Sequence, residues 1–341
     1  MIQGRLRQCL LSAVSACFVF FYTIVANQAG QEPIPTQNRF PLSFLFLTPR
    51  PTSAQLPDPG SIHTAAALEY SSVFMEESND HWELLADMEI TVVELSITYG
   101  ISSQLAIRLD APVASMDHGF MDGFLAGYHA ALGLNNYGRE DRPDNDFAYH
   151  INKNSQPWVE SEAGGWHLTD ITVSVQSPLF SMAWPPKWKS AFLSSLKLPT
   201  GDAKLGYGSG NVDLGLFLPS HWRLDNWSFF LMPGVIYHGD PDTLGAHVSA
   251  QNSFSFFVGT SYEYNEKWCW LGQIGYMSTS IEKTSISKID DGAYGLTIGV
   301  RRTFNRQYNI EFAFTEDIFT RAAPDFNMRV GLNYNYGKES R

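Results

Sequence analysis

Histidines and carboxylates are the residues of this chain best suited to chemistry. His118, His129 and His150 fall in one long segment between residues 115 and 165. His167 follows it, with Asp170 three positions on. A histidine oriented by a carboxylate is what a serine hydrolase uses to take the proton from its nucleophile. No Gly-x-Ser-x-Gly turn accompanies them, so a hydrolase stands here only as an alternative. Asp141, Asp144, Asn145 and Asp146 are hard oxygen donors of the kind calcium takes. Their spacing does not match an EF-hand loop, and a solvated loop is the simpler reading. The stretch Gly201–Gly215 is rich in glycine but lacks the Gly-Lys-Ser/Thr of a phosphate loop. It reads as a flexible hairpin loop. Cys269 lies between Trp268 and Trp270 and reads as a small apolar strand residue. No catalytic, cofactor-binding or metal-binding residue is expected from these patterns.

A second set of charged residues acquires meaning only through the elements that carry it. Near the end of the chain Phe326, Met328, Val330, Leu332, Tyr334 and Tyr336 alternate with Asp325, Asn327, Arg329, Gly331, Asn333 and Asn335. A period of two puts one set on each face of a β-strand. The same alternation recurs at Val212–Leu218, Tyr294–Val300 and Tyr308–Phe314. About twelve such segments fill residues 61–337. Their connections alternate between short turns and longer loops, one of them spanning 115–165. That asymmetry marks a transmembrane β-barrel of the bacterial outer membrane. The physical requirement is closure: in hydrocarbon every backbone N–H and C=O needs an internal partner, and an open sheet leaves two edges unpaired. Tyr and Trp gather near the strand ends, as interfacial girdles do. A soluble β-sandwich also alternates, but needs neither strands this long nor banded aromatics. The expected fold is therefore all-β, a closed antiparallel barrel of about twelve strands.

Alternation then assigns Glu94, Arg108, Asp110, Lys197, Asp213, Arg301, Glu311 and Arg329 to the lumen. Mixed charges inside a barrel pair with one another, filling a narrow lumen or tuning the selectivity of a wider one. Within the long loop, Phe120, Phe124, Tyr128 and Leu132 recur four apart, the spacing of a short amphipathic helix. Two placements are open to it. It can fold into the mouth as a gate, with Phe120, Phe124 and Tyr128 as gating residues, or lie on the outer leaflet.

The remaining sequence bounds the class. Arg5 and Arg7 precede the apolar run Leu10–Ala26, and small residues follow up to Ala29. Residues 1–29 read as a secretory signal peptide. Residues 30–60 hold seven prolines, which exclude a long regular element. They read as a periplasmic tail, with the apolar Phe40–Leu47 as a buried exception, and either this tail or the long loop can partly occupy the lumen of a twelve-stranded barrel. After residue 29 no apolar run approaches the roughly 20 residues of a transmembrane helix. A net charge of −12 excludes a basic nucleic-acid binder, and 44% hydrophobic residues exclude a disordered acidic chain.

Several stretches carry a resemblance. They are QNRFPLSFLFLTPRP, NDHWELLADME, HGFMDGFLAGYHAALGL with GREDRPDN, KLPTGD with GYGSGNVDLGLFLP, and EDIFTRAAPDFNMRVGL. Together they resemble a domain-of-unknown-function family of Gram-negative outer-membrane proteins, over nearly the whole chain beyond the leader. The KLPTGD and GSGNVDLGL pieces also look like outer-membrane proteins grouped with phenol and hydrocarbon degradation. The resemblance implies a barrel and no activity. The expected function is a selective channel or transporter for a small solute, hydrophobic ones included. A closed structural or binding barrel and a membrane-embedded hydrolase are the alternatives. The expected partners are outer-membrane lipid and lipopolysaccharide, the barrel-assembly machinery and that solute, with no cofactor and no nucleic acid.

Overall fold

The computed structural model describes residues 32–132, 139–182, 187–317 and 322–337. The expected signal peptide lies outside them, as does the side chain of His129. Three long strands open the wall: β1 (Ile62–Ser78), β2 (Trp82–Ser102) and β3 (Leu105–Asp117). The long loop then carries a helix, α1 (Asp122–Leu132), a hairpin of β4 (Ala148–Lys153) and β5 (Gln156–Glu160), and the short β6 (His167–Leu168). The wall resumes with β7 (Ile171–Met182), β8 (Lys187–Leu198), β9 (Asp213–Phe217), β10 (Ser220–Leu224) and β11 (Trp227–Tyr237). It finishes with β12 (Ser253–Glu263), β13 (Trp268–Met277), β14 (Ala293–Thr303), β15 (Tyr308–Glu316) and β16 (Phe326–Tyr336).

Each wall strand pairs antiparallel with the next, and β16 returns to pair with β1 from Ile62↔Tyr336 to Ser72↔Phe326. Strands β9 and β10 both lie between β8 and β11 and share one position. The break falls at Pro219, which has no N–H to give a ladder. Counted this way the barrel has twelve strand positions and no free edge, as the alternation predicts.

Along β1 the even positions Ile62 and Leu68 are exposed, as are Ile97 on β2, Ile298 on β14, Phe312 on β15 and Val330 on β16. Odd positions of β1, β14, β15 and β16 point inward. The outward set forms an apolar belt rimmed at the turn end by Trp268, Tyr308, Tyr334 and Tyr336. Such a surface is stable in lipid and costly in water. Above the belt, β1 and β2 project as a hairpin whose edge along β2 is taken by β4, paired from Trp82↔Lys153 to Asp87↔Ala148. Here Met75, Trp82, Leu84, Ile151 and Trp158 form an apolar core together with residues of the loops that follow β8, β11 and β13.

The Pro-rich segment, expected as a periplasmic tail, runs through the barrel. It ascends from Glu32, turns in a short 3₁₀ helix at Pro41–Leu45 and descends to Asp58. Its apex, Phe40–Phe46, is part of the apolar core at the loop end. The physical reason is composition: five apolar residues close together lose exposed surface there, each worth about 1.5–3 kcal/mol when fully buried. The prolines keep both arms extended without requiring ladder partners.

Candidate functional site

Six of the eight alternation-assigned charges meet in one network inside the lumen, and the segment threaded through it supplies what they lack. Arg329, on β16, is the hub. Its Nη1 donates to Glu69 on β1 and, at 2.8 Å, to Glu94 on β2, while Nε lies 3.4 Å from Glu311 on β15. Arg301 on β14 donates to Glu311 at 2.9 Å, and Arg108 donates to Asp110 at 2.9 Å. Two further guanidinium groups come from the threaded segment. Arg39 bonds Glu69 at 2.5 Å, and Arg50 pairs with Glu94 and lies 3.7 Å from Asp110. The wall groups of this network are thus four carboxylates against three cations, and Arg39 and Arg50 raise the cations to five. All but Arg108 are nearly inaccessible to solvent. Breaking a buried pair by removing one partner leaves an uncompensated charge, at about 3–5 kcal/mol.

A second cluster sits at the loop-end rim. Lys197 donates to Asp170 at 2.6 Å and to Ser209 at 2.7 Å, and lies 3.8 Å from Asp213. Asp213 accepts from the backbone N–H of Leu47 at 2.6 Å and of Gly239 at 3.1 Å. It also bonds His238 Nδ1 at 3.0 Å, while His238 Nε2 meets Ser253 Oγ at 2.8 Å. This carboxylate–histidine–hydroxyl chain has the connectivity of a hydrolase relay. Phe46 packs edge-on against its imidazole and Leu47 bonds its aspartate, so the chain fastens the threaded segment to the rim. The histidines singled out from sequence lie elsewhere. His167 stacks on Tyr207 with ring centroids 4.3 Å apart, and His118 sits against Phe147.

Among the described residues the threaded segment makes no strand ladder with the wall; side chains hold it. Gln273 brackets Ile34, accepting its N–H at 2.6 Å and donating to its carbonyl at 3.0 Å. Arg301 donates to the Glu32 carbonyl at 2.8 Å, Arg108 to Thr52 at 2.9 Å and Gln176 to the Ser53 carbonyl at 2.8 Å. These bonds leave two kinds of space. Toward the turn end a polar vestibule of about 200 Å³ is lined by Arg50, Arg108, Gln176, Asn309 and Asn333. Beside the segment, against β11–β15, lies a cavity of about 90 Å³ lined by Met232, Phe257, Met277, Gly275, Gly295 and Pro49. The space opens where glycines interrupt this wall: a Cβ built on Gly275 meets nothing within 4 Å.

Two expectations need correction. The helix α1 does not enter the mouth. Met121 and Leu125 pack on the outside of the barrel, against Phe326 with Tyr70, Phe314 and Met328 around them. Phe120, Phe124 and Tyr128 are therefore not lumen or gating residues. Arg139 explains the placement: its guanidinium donates to Asp122 on α1, to Asp325 at 2.8 Å and to Ser72 on β1 at 3.1 Å. Burial pulls its pKa down, but Asp325 and Asp122 outweigh that and raise it. Glu89 of β2 caps the approach to the helix, accepting the N–H groups of Phe120 and Met121. The glycine-rich stretch is not a free loop either. Asp170 holds the backbone N–H of Gly201 and Ser209, and Tyr207 is buried, its hydroxyl accepting from Met116 N–H at 3.0 Å. Glycine is needed here for close approach: a Cβ on Gly201 would stand 2.1 Å from the Tyr207 carbonyl oxygen. The four loop oxygen donors do not converge. Asp146 pairs with Arg142 at 2.8 Å, and the Asn145 N–H turns to Asp122.

Sequence reasoning missed Glu69, Arg39, Arg50, His238 and Gln273. Glu69 and Gln273 were reachable, since each shares parity with inward neighbours. Arg39 and Arg50 carried no signal, because a Pro-rich segment has no period.

A closed twelve-strand barrel with a lipid-facing belt and a filled lumen defines the class, an integral β-barrel of the outer-membrane type. Within that class the chain belongs to the family described as protein of unknown function, DUF3187, whose pattern matches residues 9–336. No curated protein matches it. Among solved structures it is similar to the COG4313 outer membrane channel from Pseudomonas putida F1, at 13% identity and a TM-score of 0.55. That match covers 83% of this chain and 96% of the other. At this identity the likeness shows the fold alone. Weaker likenesses are to the NanC porin, 8% identical with a TM-score of 0.44 over 80% of this chain and 98% of that one, and to the P. putida toluene transporter TodX, 10% identical with a TM-score of 0.36 over 84% and 92%.

Proposed function

We propose that this protein is a selective outer-membrane channel for a small apolar solute, closed at rest by its own N-terminal segment. The observation that carries the reading is the threaded segment itself. Side-chain bonds hold it, so it can shift without breaking any strand pairing, and beside it lies a cavity with an apolar lining. In this reading the leader is removed on export, the assembly machinery inserts the barrel, and the loop end faces lipopolysaccharide and the outside. The solute passes along the apolar wall while the charged wall keeps the segment in register. A closed binding barrel is the second reading, favoured by the saturation of the ion pairs.

Single-channel recording of the refolded protein in a planar bilayer tests this. The wild type should be mostly closed with brief steps. The double variant Arg39→Gln/Arg50→Gln should open more often, and the open state should prefer cations, because the wall network alone carries more carboxylates than guanidinium groups. Ile34→Cys, placed beside the natural Cys269 in one apolar cluster, should abolish the steps on oxidation and restore them on reduction. Silence from all of these, with heat-modifiable migration proving a folded barrel, would leave the closed barrel standing instead.

A further inference from the structure

The exposed face of α1 is unusual for a loop on the outside of a membrane protein. Phe120 is 71% and Phe124 57% exposed, and Gly123, Gly127 and Ala130 are exposed beside them. Gly123, Gly127 and Ala130 recur at three and four residues along one side of the helix, Phe124 flanks them, and Phe120 stands two residues before the helix begins; none of the five is charged. Met121 and Leu125 are seated on the barrel, and the Phe124 ring stands at the edge of that contact, 6.4 Å from the Phe326 ring between centroids.

The height of the helix decides what covers the free side. A strand climbs about 3.3 Å per residue, and at a tilt of about 40° ten residues rise about 25 Å, the height of an outer-membrane apolar band. Counted from Ile62 and Tyr336 at the turn end, the band ends near Ser72 and Phe326, which pair with each other. Tyr70, Met328, Phe314 and Phe326, the residues beneath α1, lie at that upper edge and point outward. The helix therefore extends the lipid-facing belt sideways at the level where acyl chains meet headgroups. Its attachment is rigid, through the Arg139 bonds to Asp122, Asp325 and Ser72 and the Glu89 cap described above.

We infer that α1 and the turn before it are an interfacial anchor: Phe120, Phe124 and the small-residue side of the helix are bedded in the acyl chains of the outer leaflet, and they tie the projecting lobe to the membrane surface. The partner is the lipid itself, and continuity with the belt identifies it. Aromatic side chains with an apolar body suit this depth.

Nitroxide labels at Phe124→Cys and, separately, Ala130→Cys test the assignment. The background has its other cysteines replaced by serine, and the protein is reconstituted in vesicles of phosphatidylethanolamine, phosphatidylglycerol and lipopolysaccharide. Leu68→Cys in the belt and Asp80→Cys at the tip of the β1–β2 hairpin serve as lipid and water references. Both α1 labels should collide more with oxygen than with a water-soluble nickel chelate, as Leu68→Cys does. Collision mainly with the chelate, as at Asp80→Cys, would overturn the inference in favour of a water-facing helix. Exclusion of both reagents, with dipolar broadening that fades on dilution with unlabelled protein, would overturn it in favour of a second copy of the chain. Two label sites guard against one substitution disturbing the fold.

Discussion

The two walls of the lumen handle the same threaded segment in opposite ways. Strands β16, β1, β2 and β3 present Arg329, Glu69, Glu94 and Asp110, and they grip the segment through Arg39 and Arg50. Strands β11–β14 hold it by neutral and backbone-directed contacts, Gln273 and Arg301 bonding its first arm and Met232 and Phe257 packing with Leu47, and at Gly275 and Gly295 they leave a cavity beside it. One wall fixes position through charge; the other leaves room. A lumen with two charged walls would be filled by paired side chains, and one with two apolar walls would have nothing to hold the segment in register. The pairing of a gripping wall with a yielding wall is what the proposed gated path for an apolar solute rests on.

The largest effect should come from breaking the gripping wall at its hub. Arg329→Met removes the one cation shared by Glu69, Glu94 and Glu311. Three buried carboxylates are then left with Arg39, Arg50 and Arg301, and stability should fall by about 3–5 kcal/mol. Urea unfolding followed by heat-modifiable migration measures this. An unchanged midpoint would mean that the network does not hold the segment.

A smaller effect should come from the edge of the yielding wall. Gly299 on β14 lets Ile34 approach: a Cβ there would stand 2.4 Å from Ile34 Cδ1 and 3.0 Å from the Phe312 carbonyl oxygen. Gly299→Val should cost about 1–3 kcal/mol, the range for overpacking. Adding Ile34→Ala should recover part of that loss, because the clash is with one side chain. Additive losses in the double variant would place the strain in the wall and not in the threaded segment.

Which parts of this arrangement the sequence disclosed follows from periodicity. The strands were legible because lipid and lumen impose opposite chemistry on alternate residues, and that pattern survives in Phe326–Tyr336 without any neighbour. The inward charges followed from the same parity. Residues 32–58 were legible only as one of two candidates for the lumen, and their path was not, since prolines erase periodicity and Arg39 and Arg50 look like any solvated cations until the carboxylates around them are known. The helix α1 was legible as an element but not as a location. An amphipathic pattern says that Met121 and Leu125 face something, and both the mouth and the outer wall offered an apolar surface; Arg139, nineteen residues into the loop from Phe120, settled the choice through Asp122 and Asp325. The stretch from Gly201 was misread because glycine signals freedom and close approach equally, and only the nearby Tyr207 carbonyl and Asp170 distinguish them.

The smallest effect on folding should come with a specific loss of binding, at Gly275. Its inward side is open, with nothing within 4 Å of an added Cβ, and it lines the apolar cavity beside the threaded segment. It pairs with Phe257 on one side and Gly295 on the other, so a larger residue fits the ladder. Gly275→Leu should leave stability within about 0.5 kcal/mol, because the side chain enters space that is already free and glycine is a weak strand residue. The same side chain fills the cavity. Binding of a small fluorescent apolar probe should therefore be lost, while the cation preference of the open state, set by the opposite wall, stays as it was. If probe binding survives the substitution, the apolar wall is not the solute's path. If cation preference changes with it, the two walls are not independent, and the division of labour between them fails.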